Sequence, residues 1–438
     1  MITSYRWILF FIVFCPFLVH GQVPAPALIG YWHNWNDAKA PYIPLNQIDS
    51  RYNVIDVAFA VPQTNTDYKI QFVPDGMTHE IFIEQMQSVQ KLGKKVIISI
   101  GGATAPISLS TTQERDTFIE TMTEIIDAYG FDGIDIDLEG SSISVSGGSI
   151  DIPVDSSIIH LVSAIKLIMK TYQDKNGKRL ILTMSPETAF VQGGMSAFSG
   201  IWGAYLPVIQ ALRDSIEILH VQLYNSGSMY GIDGKIYTQG SADFIVAMTE
   251  AVINGFSTAG GKFMGIDESK VAIGLPACNL AAGGGFTDSA IVQAAVRYLL
   301  GIGDKPGTYT LAKTAGYPKL RGLMTWSINW DAVSTCGGTY QYANTFEDLF
   351  ETTSTGNRFS HLSATPNYRF YPNPSSDFIQ FQTISSADIS VVNIYGKDGS
   401  LLMSSDVSNG DNRIDVSQLP SGVYTIGIEN TFQKFIKF

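Results

Sequence analysis

Phe131-Asp132-Gly133-Ile134-Asp135-Ile136-Asp137-Leu138-Glu139 places four acidic residues within eight positions, with apolar residues between the later ones. A solvated acidic face would not carry Ile134, Ile136 and Leu138 between its charges. Read as a β-strand, the segment alternates faces. Asp135, Asp137 and Glu139 share one face, and the three aliphatics share the other. Asp132 falls out of phase and is assigned a structural role at most. Three carboxylates lined up beside an apolar sheet face carry a desolvation cost. Like charges in a row repel, and the acid in the driest place keeps its proton near neutral pH. Such an acid is prepared to act as a general acid. A metal site or a structural ion-pair strand is the alternative reading of the same residues.

Working outward, apolar β-rich runs recur on both sides. Ala27–Trp32, Val54–Phe59 and Lys95–Ile100 precede the acidic strand. Leu180–Met184, Ile218–Tyr224, Val271–Leu275 and Gly322–Trp326 follow it. Near-continuous apolar runs suit parallel strands covered by helices. Helical patterns fall between several of them. Ile81 to Leu92 stops at Gly93, and Thr111 with Glu114 reads as a capping box before Phe118, Met122, Ile125 and Ile126. Further helices are expected over 157–172, 205–212, 242–253 and 289–300. Residues 33–50 show no clear helix. Eight strands alternating with helices predict an α/β chain whose main body, residues 25–350, is a (β/α)8 TIM barrel. Active sites of that fold sit at the C-terminal ends of the strands, where Glu139 would project.

The chain has 438 residues, enough for one large domain and a small one. Its formal net charge of −12 argues against nucleic acid and anionic membranes as partners. Residues 1–21 read as a secretory signal peptide, with Arg6 before an apolar run and small residues before the cleavage point. A lipoprotein reading would use Cys15, but Phe14 is bulky there and the apolar run continues past it. No other segment is apolar and long enough to span a bilayer, so the mature chain is expected to be exported. Cys278 and Cys336 are open to either a disulfide or two buried thiols. No CxxC or His/Cys cluster suggests a metal, and no cofactor is expected. Residues 351–366 are rich in Thr and Ser and read as a linker. From 367 to 438, short alternating strands predict a small all-β, sandwich-like domain.

With a barrel expected, Asp132-Gly133-Ile134-Asp135-Ile136-Asp137-Leu138-Glu139 resembles the DGxDxDxE signature of the glycoside hydrolase family 18 chitinases. Ser99-Ile100-Gly101-Gly102 is similar to the family's SxGG motif. Met184-Ser185-Pro186-Glu187 is similar to its MAPE segment, with Ser185 in place of alanine. Gln222-Leu223-Tyr224-Asn225 resembles QxYN, and Met324 to Asp331 resembles the end of strand eight in bacterial members. The resemblance implies a retaining, substrate-assisted hydrolysis of chitin. In it Glu139 is the general acid and base, and Asp137 partners the acetamido group. Asp135 shares a proton with Asp137, and Tyr224 holds the acetamido oxygen. It further implies Gln222 and Asn225 as a polar wall, Trp326 as the apolar floor, and Tyr31, Met184 and Glu187 as substrate contacts. About 40 residues separate strands seven and eight, too few for the family's extra α/β domain, so an open, endo-acting groove is expected.

Tyr371-Pro372-Asn373-Pro374, Leu419-Pro420-Ser421-Gly422-Val423-Tyr424 and Phe435-Ile436-Lys437-Phe438 resemble the sorting domain of the type IX secretion system. That resemblance implies the secretion machinery as a partner and an extracellular or surface location for a monomeric enzyme. An endo-β-N-acetylglucosaminidase acting on N-glycans and a non-catalytic chitin-binding lectin are the other functions considered for the barrel, and a chitin-binding module for the tail.

Overall fold

A computed structural model describes residues 23–438 except 65–67, 334, 336, 351–367, 372–373, 384–390, 397–400, 407–412 and 429–430. The expected signal peptide, residues 1–21, and the expected linker, residues 351–366, lie outside these residues. Two compact units divide between Ser354 and Thr355.

The first unit is built on eight parallel strands. They are β1 (Ala27–His33), β2 (Val54–Pro62), β3 (Lys95–Gly101), β4 (Gly133–Asp137), β5 (Ile181–Met184), β6 (Ile218–Leu219), β7 (Ala272–Pro276) and β8 (Gly322–Trp326). Their spatial order is β7-β8-β1-β2-β3-β4-β5-β6. Parallel bridges Leu219↔Val271 and Gln222↔Gly274 close the ring. The expected seven-residue strand over 218–224 is therefore a two-residue ladder continued by single bridges. Helices cover the outside: α1 (His79–Gln90), α2 (Thr112–Tyr129), α3 (Ser156–Asn176), α4 (Leu206–Leu212), α5 (Ala242–Asn254), α6 (Ser289–Leu299), the short α7 (Ile328–Asp331) and α8 (Gln341–Phe350). The Thr111–Glu114 capping box is formed at the start of α2, and Gly130 ends that helix in the left-handed region. After β1, the sole helical turn among the described residues up to β2 is the 3-10 turn Leu45–Gln47.

Strand register stacks the barrel interior in layers. Ile29, Val54, Ile97, Ile181 and Ile218 form an apolar layer at the base. Two residues further along each strand, the interior turns polar: Tyr31, Asp56, Ser99, Asp135, Thr183 and His220, all buried. Ser99, Asp135 and Thr183 pair directly across β3, β4 and β5. Two residues further again lies the mouth of the barrel. The outer faces of the same strands pack under the helices in a separate core that contains Ile134, Ile136 and Leu182.

The Ser-x-Gly-Gly stretch shows why its glycines are required. Gly101 and Gly102 have φ of 107° and 80°, conformations that side chains rarely adopt. A Cβ on Gly101 would lie 2.5 Å from the carbonyl oxygen of Asp137, and one on Gly102 2.8 Å from the ring of Phe59. The end of β3 is thus wedged between the two strands that carry the mouth.

The second unit holds two antiparallel sheets. One runs Tyr368–Tyr371, Phe378–Thr383, Arg413–Asp415; the other Leu401–Asp406, Val391–Tyr395, Gly422–Ile428, Thr431–Lys437. Ile379, Val392, Ile394, Ile414, Val416, Ile426 and Phe435 form its core. Tyr424 donates its hydroxyl to the carbonyl of Pro420 at 2.6 Å, which ties the turn before the strand to the strand itself. Cys278 is buried and disulfide-bonded; Cys336 is outside the described residues.

Candidate active site

A cleft of about 490 Å³ opens at the C-terminal ends of the barrel strands. Asp137, Glu139, Gln222, Tyr224, Asn225 and Trp326 line it, together with Trp35 and Phe59. The acidic strand explains the arrangement. Asp135 and Asp137 alternate inward with Ile134 and Ile136 outward, and Glu139 follows just past the strand end.

The carboxylates are held by a dense set of donors. Asp135 accepts from Ser99 and Thr183, each at 2.7 Å, and from the Tyr31 hydroxyl at 2.6 Å. Asp137 accepts from Ser185 at 2.9 Å and from the Gln222 amide at 2.8 Å. The same Gln222 nitrogen reaches Glu139 at 3.0 Å and the Ser185 carbonyl at 2.9 Å. One amide thereby ties two acids to the strand beside them. Ser185 also lies 3.3 Å from Asp135, so its hydroxyl stands between the two aspartates.

Burial raises the pKa of Glu139, with the charge of Glu187 adding to the rise and the hydrogen bond from Gln222 opposing it. Asp137 is pushed well above the usual carboxylate range by burial and by the neighbouring charges of Glu139 and Asp135, against the pull of Ser185 and Gln222. Burial thus favours the neutral form of both Asp137 and Glu139. Behind it, the two nitrogens of His220 and the two oxygens of Asp56 have no hydrogen-bond partner among the described residues. His220 Nε2 is 3.5 Å from Asp135 and 3.7 Å from Asp56. Burial lowers His220 and raises Asp56, and the charge of Asp135 adds to the rise of Asp56. Both shifts favour neutral groups in the barrel centre.

Aromatic rings line the same cleft as the acids. Trp326 stacks near-parallel to Phe59 at 5.9 Å, and Trp35 lies 6.3 Å from each. Trp35 is itself stacked on His33 at 4.4 Å. Peptide bonds Ala58–Phe59 and Trp326–Ser327 are cis. Asn225 has φ of 53°, a left-handed conformation that asparagine tolerates, and its side chain accepts from Gly284 N–H at 3.1 Å.

Three residues read as substrate contacts lie elsewhere. Tyr31 is buried beneath the cleft, with its hydroxyl on Asp135 and Ser185. Met184 pairs with Ile136 in register and so points outward, into the core under the helices. Its parity, one residue off that of Thr183 and Ser185, decides this. Glu187 is partly exposed and accepts from Gly140 N–H at 3.2 Å, beside the general-acid candidate but outside the cleft lining. Phe59, Asp56 and His220 carry no role in the sequence reading. Phe59 closes the apolar run of its strand, although β2 continues to Pro62, and the alternation Asp56, Ala58 or His220, Gln222, Tyr224 is the available signal. Asp132, out of phase as expected, accepts from Val96 N–H at 3.0 Å and the Gln90 amide at 2.9 Å.

Comparison with known proteins adds five matches. Residues 27–332 match the glycosyl hydrolases family 18, and residues 369–438 match the secretion system C-terminal sorting domain. Chitinase Chi52 of Paenibacillus xylanexedens is 44% identical over 317 residues, covering 71% of this chain and 60% of that protein. Chitinase D of Niallia circulans is 45% identical over 311 residues, covering 70% of this chain and 58% of that protein. This chain thus spans less than two thirds of either relative's length. The crystal structure of a family GH18 chitinase from Chromobacterium violaceum superimposes with a TM-score of 0.66 at 35% identity, covering 75% of this chain and 84% of that one.

Proposed function

This chain belongs to the glycosyl hydrolases family 18, and from that premise we propose that its barrel hydrolyses the β-1,4 bonds between N-acetylglucosamine units of chitin. The reaction is retaining and substrate-assisted. The observation that carries this reading is the row Asp135, Asp137, Glu139, its last two acids tied by Gln222 and sharing one cleft with the Trp326–Phe59 stack. The two relatives named as chitinases support the substrate.

In this reading a sugar lies with its apolar face on the indole of Trp326. Glu139, whose protonated form burial favours, gives its proton to the leaving glycosidic oxygen. The acetamido oxygen of the same sugar bonds to the anomeric carbon as the glycosidic bond breaks, and an oxazolinium ion forms. Asp137 takes the acetamido N–H as hydrogen-bond donor and balances the positive ring, while Tyr224 orients the acetamido oxygen for attack. Glu139, now ionised, removes a proton from water, which attacks the anomeric carbon with retention. Asp135 holds the proton that Asp137 gives up. Asn225 borders the sugar, Glu187 acts only through its charge beside Glu139, and no cofactor is required.

About 45 residues join β7 to β8 and carry one long helix, α6, which leaves the cleft open and supports endo action. The domain plan follows: signal peptide 1–21, barrel 25–350, linker 351–366, sorting domain 367–438. The signal peptide directs export across the inner membrane and the tail presents the chain to the type IX secretion machinery, for release or surface display.

The test uses the mature protein with N-acetylglucosamine oligomers and, separately, a high-mannose glycoprotein, with products read by mass. Cleavage of the oligomers with retained anomeric configuration is expected. Cleavage of the glycoprotein alone would replace chitin by N-glycans as substrate; binding of oligomers without cleavage would make the barrel a lectin.

The acid's environment gives a pH prediction. Activity requires protonated Glu139, so it declines as pH rises through that group's elevated pKa. Glu187 contributes to the elevation. Glu187→Gln removes the neighbouring negative charge, lowers the Glu139 pKa, and shifts the alkaline limb of kcat/KM to lower pH. A pH–rate profile of parent and variant checks the direction.

A further inference from the structure

Four oxygen atoms form a continuous chain behind the reacting centre: Asp135 Oδ2, Tyr31 Oη, Ser185 Oγ and Asp137 Oδ1. Successive separations are 2.6, 2.6 and 2.9 Å. Asp135 and Asp137 are alternate residues of one strand, roughly 7 Å apart along the chain. Tyr31 comes from β1 and Ser185 from the end of β5, and their two hydroxyls fill the gap from the side. Each hydroxyl has one proton and can accept another, so the chain is complete whichever way its hydrogen bonds run.

Resting on the hydrolase reading above, we propose that Ser185 is a positioning residue that, with Tyr31, relays the proton between Asp137 and Asp135 during each turnover. The balance is simple. When Asp137 must become anionic against the oxazolinium ring, its proton passes to Ser185 Oγ. The Ser185 proton passes to Tyr31 Oη, and the Tyr31 proton to Asp135 Oδ2. Three O–H bonds break and three form, the negative charge moves from Asp135 to Asp137, and no further reactant is needed. The reverse shift resets the site when the sugar becomes neutral. Neither carboxylate has to turn out of its other hydrogen bonds, those from Ser99 and Thr183 on Asp135 and from Gln222 on Asp137. All four groups are buried, so water does not interrupt the chain. The elevated pKa of Asp137 fits a group that holds a proton at rest and must lose it in the reaction.

Ser185→Ala removes one oxygen and opens the relay. On cleavage of N-acetylglucosamine oligomers, kcat is expected to fall about tenfold, the scale of one lost hydrogen bond to a charged group. KM should stay within about twofold, because Ser185 does not border the cleft. The solvent deuterium isotope effect on kcat should rise above the parent's as proton movement becomes slower. Ser185→Thr keeps the hydroxyl and should keep kcat within about threefold and the parent's isotope effect. If Ser185→Ala does not fold, Tyr31→Phe removes the shorter branch of the chain and leaves the 3.3 Å Ser185–Asp135 contact, so a smaller fall in kcat with a raised isotope effect is expected, and a parent-like isotope effect overturns the part given to Tyr31. Parent-like kcat and isotope effect in Ser185→Ala overturn the relay. So does an equal loss in the alanine and threonine variants, or a lower kcat with no change in isotope effect, since packing alone then explains the result. Failure of the parent to cleave oligomers is a separate outcome, which overturns the hydrolase reading and the relay with it.

Discussion

Glu139→Gln should lower kcat on N-acetylglucosamine oligomers by about a thousandfold, within the range spanned by loss of a positioned general acid. The substitution keeps the shape of the side chain. The amide oxygen of the new residue can still accept from Gln222, which donates to Glu139 at 3.0 Å. The Trp326–Phe59 floor is untouched, so oligomer binding should stay within a few-fold of the parent by calorimetry. Fold should be retained as well, since a neutral amide replaces an acid whose charged form is disfavoured by burial. A variant that binds and does not cut is the expected pairing. Undiminished cleavage would remove Glu139 from the reaction and leave Asp137 as the acid nearest the cleft.

Asp137→Asn should cost about a hundredfold in kcat, with KM changed much less. The Asn carbonyl can accept from Ser185 and Gln222 as the carboxylate does, so the local structure has its partners. What disappears is negative charge under the positive ring, in a site dry enough for that charge to count. Asparagine also cannot receive a proton from the row or return one. Steady-state kinetics on oligomers, with near-UV circular dichroism as a fold control, checks both halves of this expectation. A loss confined to KM would recast Asp137 as a binding group.

Most of the barrel is legible in the sequence, because its strands announce themselves as apolar runs and its helices as capped periods. Thr111 and Glu114 are an example: a capping box depends on residues three apart, and three apart is visible in a sequence. The acidic strand was equally legible, since period-two alternation alone puts Asp135 and Asp137 on one face. Strand six was read too long. Its apolar run continues to Tyr224, but hydrogen bonding after Leu219 reduces to single bridges. The misplaced contacts share one cause. Met184 and Tyr31 stand in stretches similar to family motifs, yet which face a side chain takes, and how deep, depends on register with a neighbouring strand. Met184 is set outward by Ile136, and Tyr31 sits level with Asp56, one layer below the mouth. Asp56 and His220 were illegible for the complementary reason. Alone in their runs they look like isolated polar residues, and only barrel closure brings them within reach of Asp135.

The polar middle layer has a consequence for any effort to make this protein more heat-resistant. A barrel centre filled with aliphatic side chains would be sturdier than one that keeps Asp56, Asp135 and His220 out of water with few partners for the first and last. Yet that layer underpins the carboxylates above it, so substitutions that strengthen the centre act directly on turnover. Durable gains are therefore to be sought on the outer shell, at helix ends such as Asp288, which precedes α6 without a side-chain cap bond. A cap bond there adds about 1 kcal/mol and leaves the interior chemistry alone.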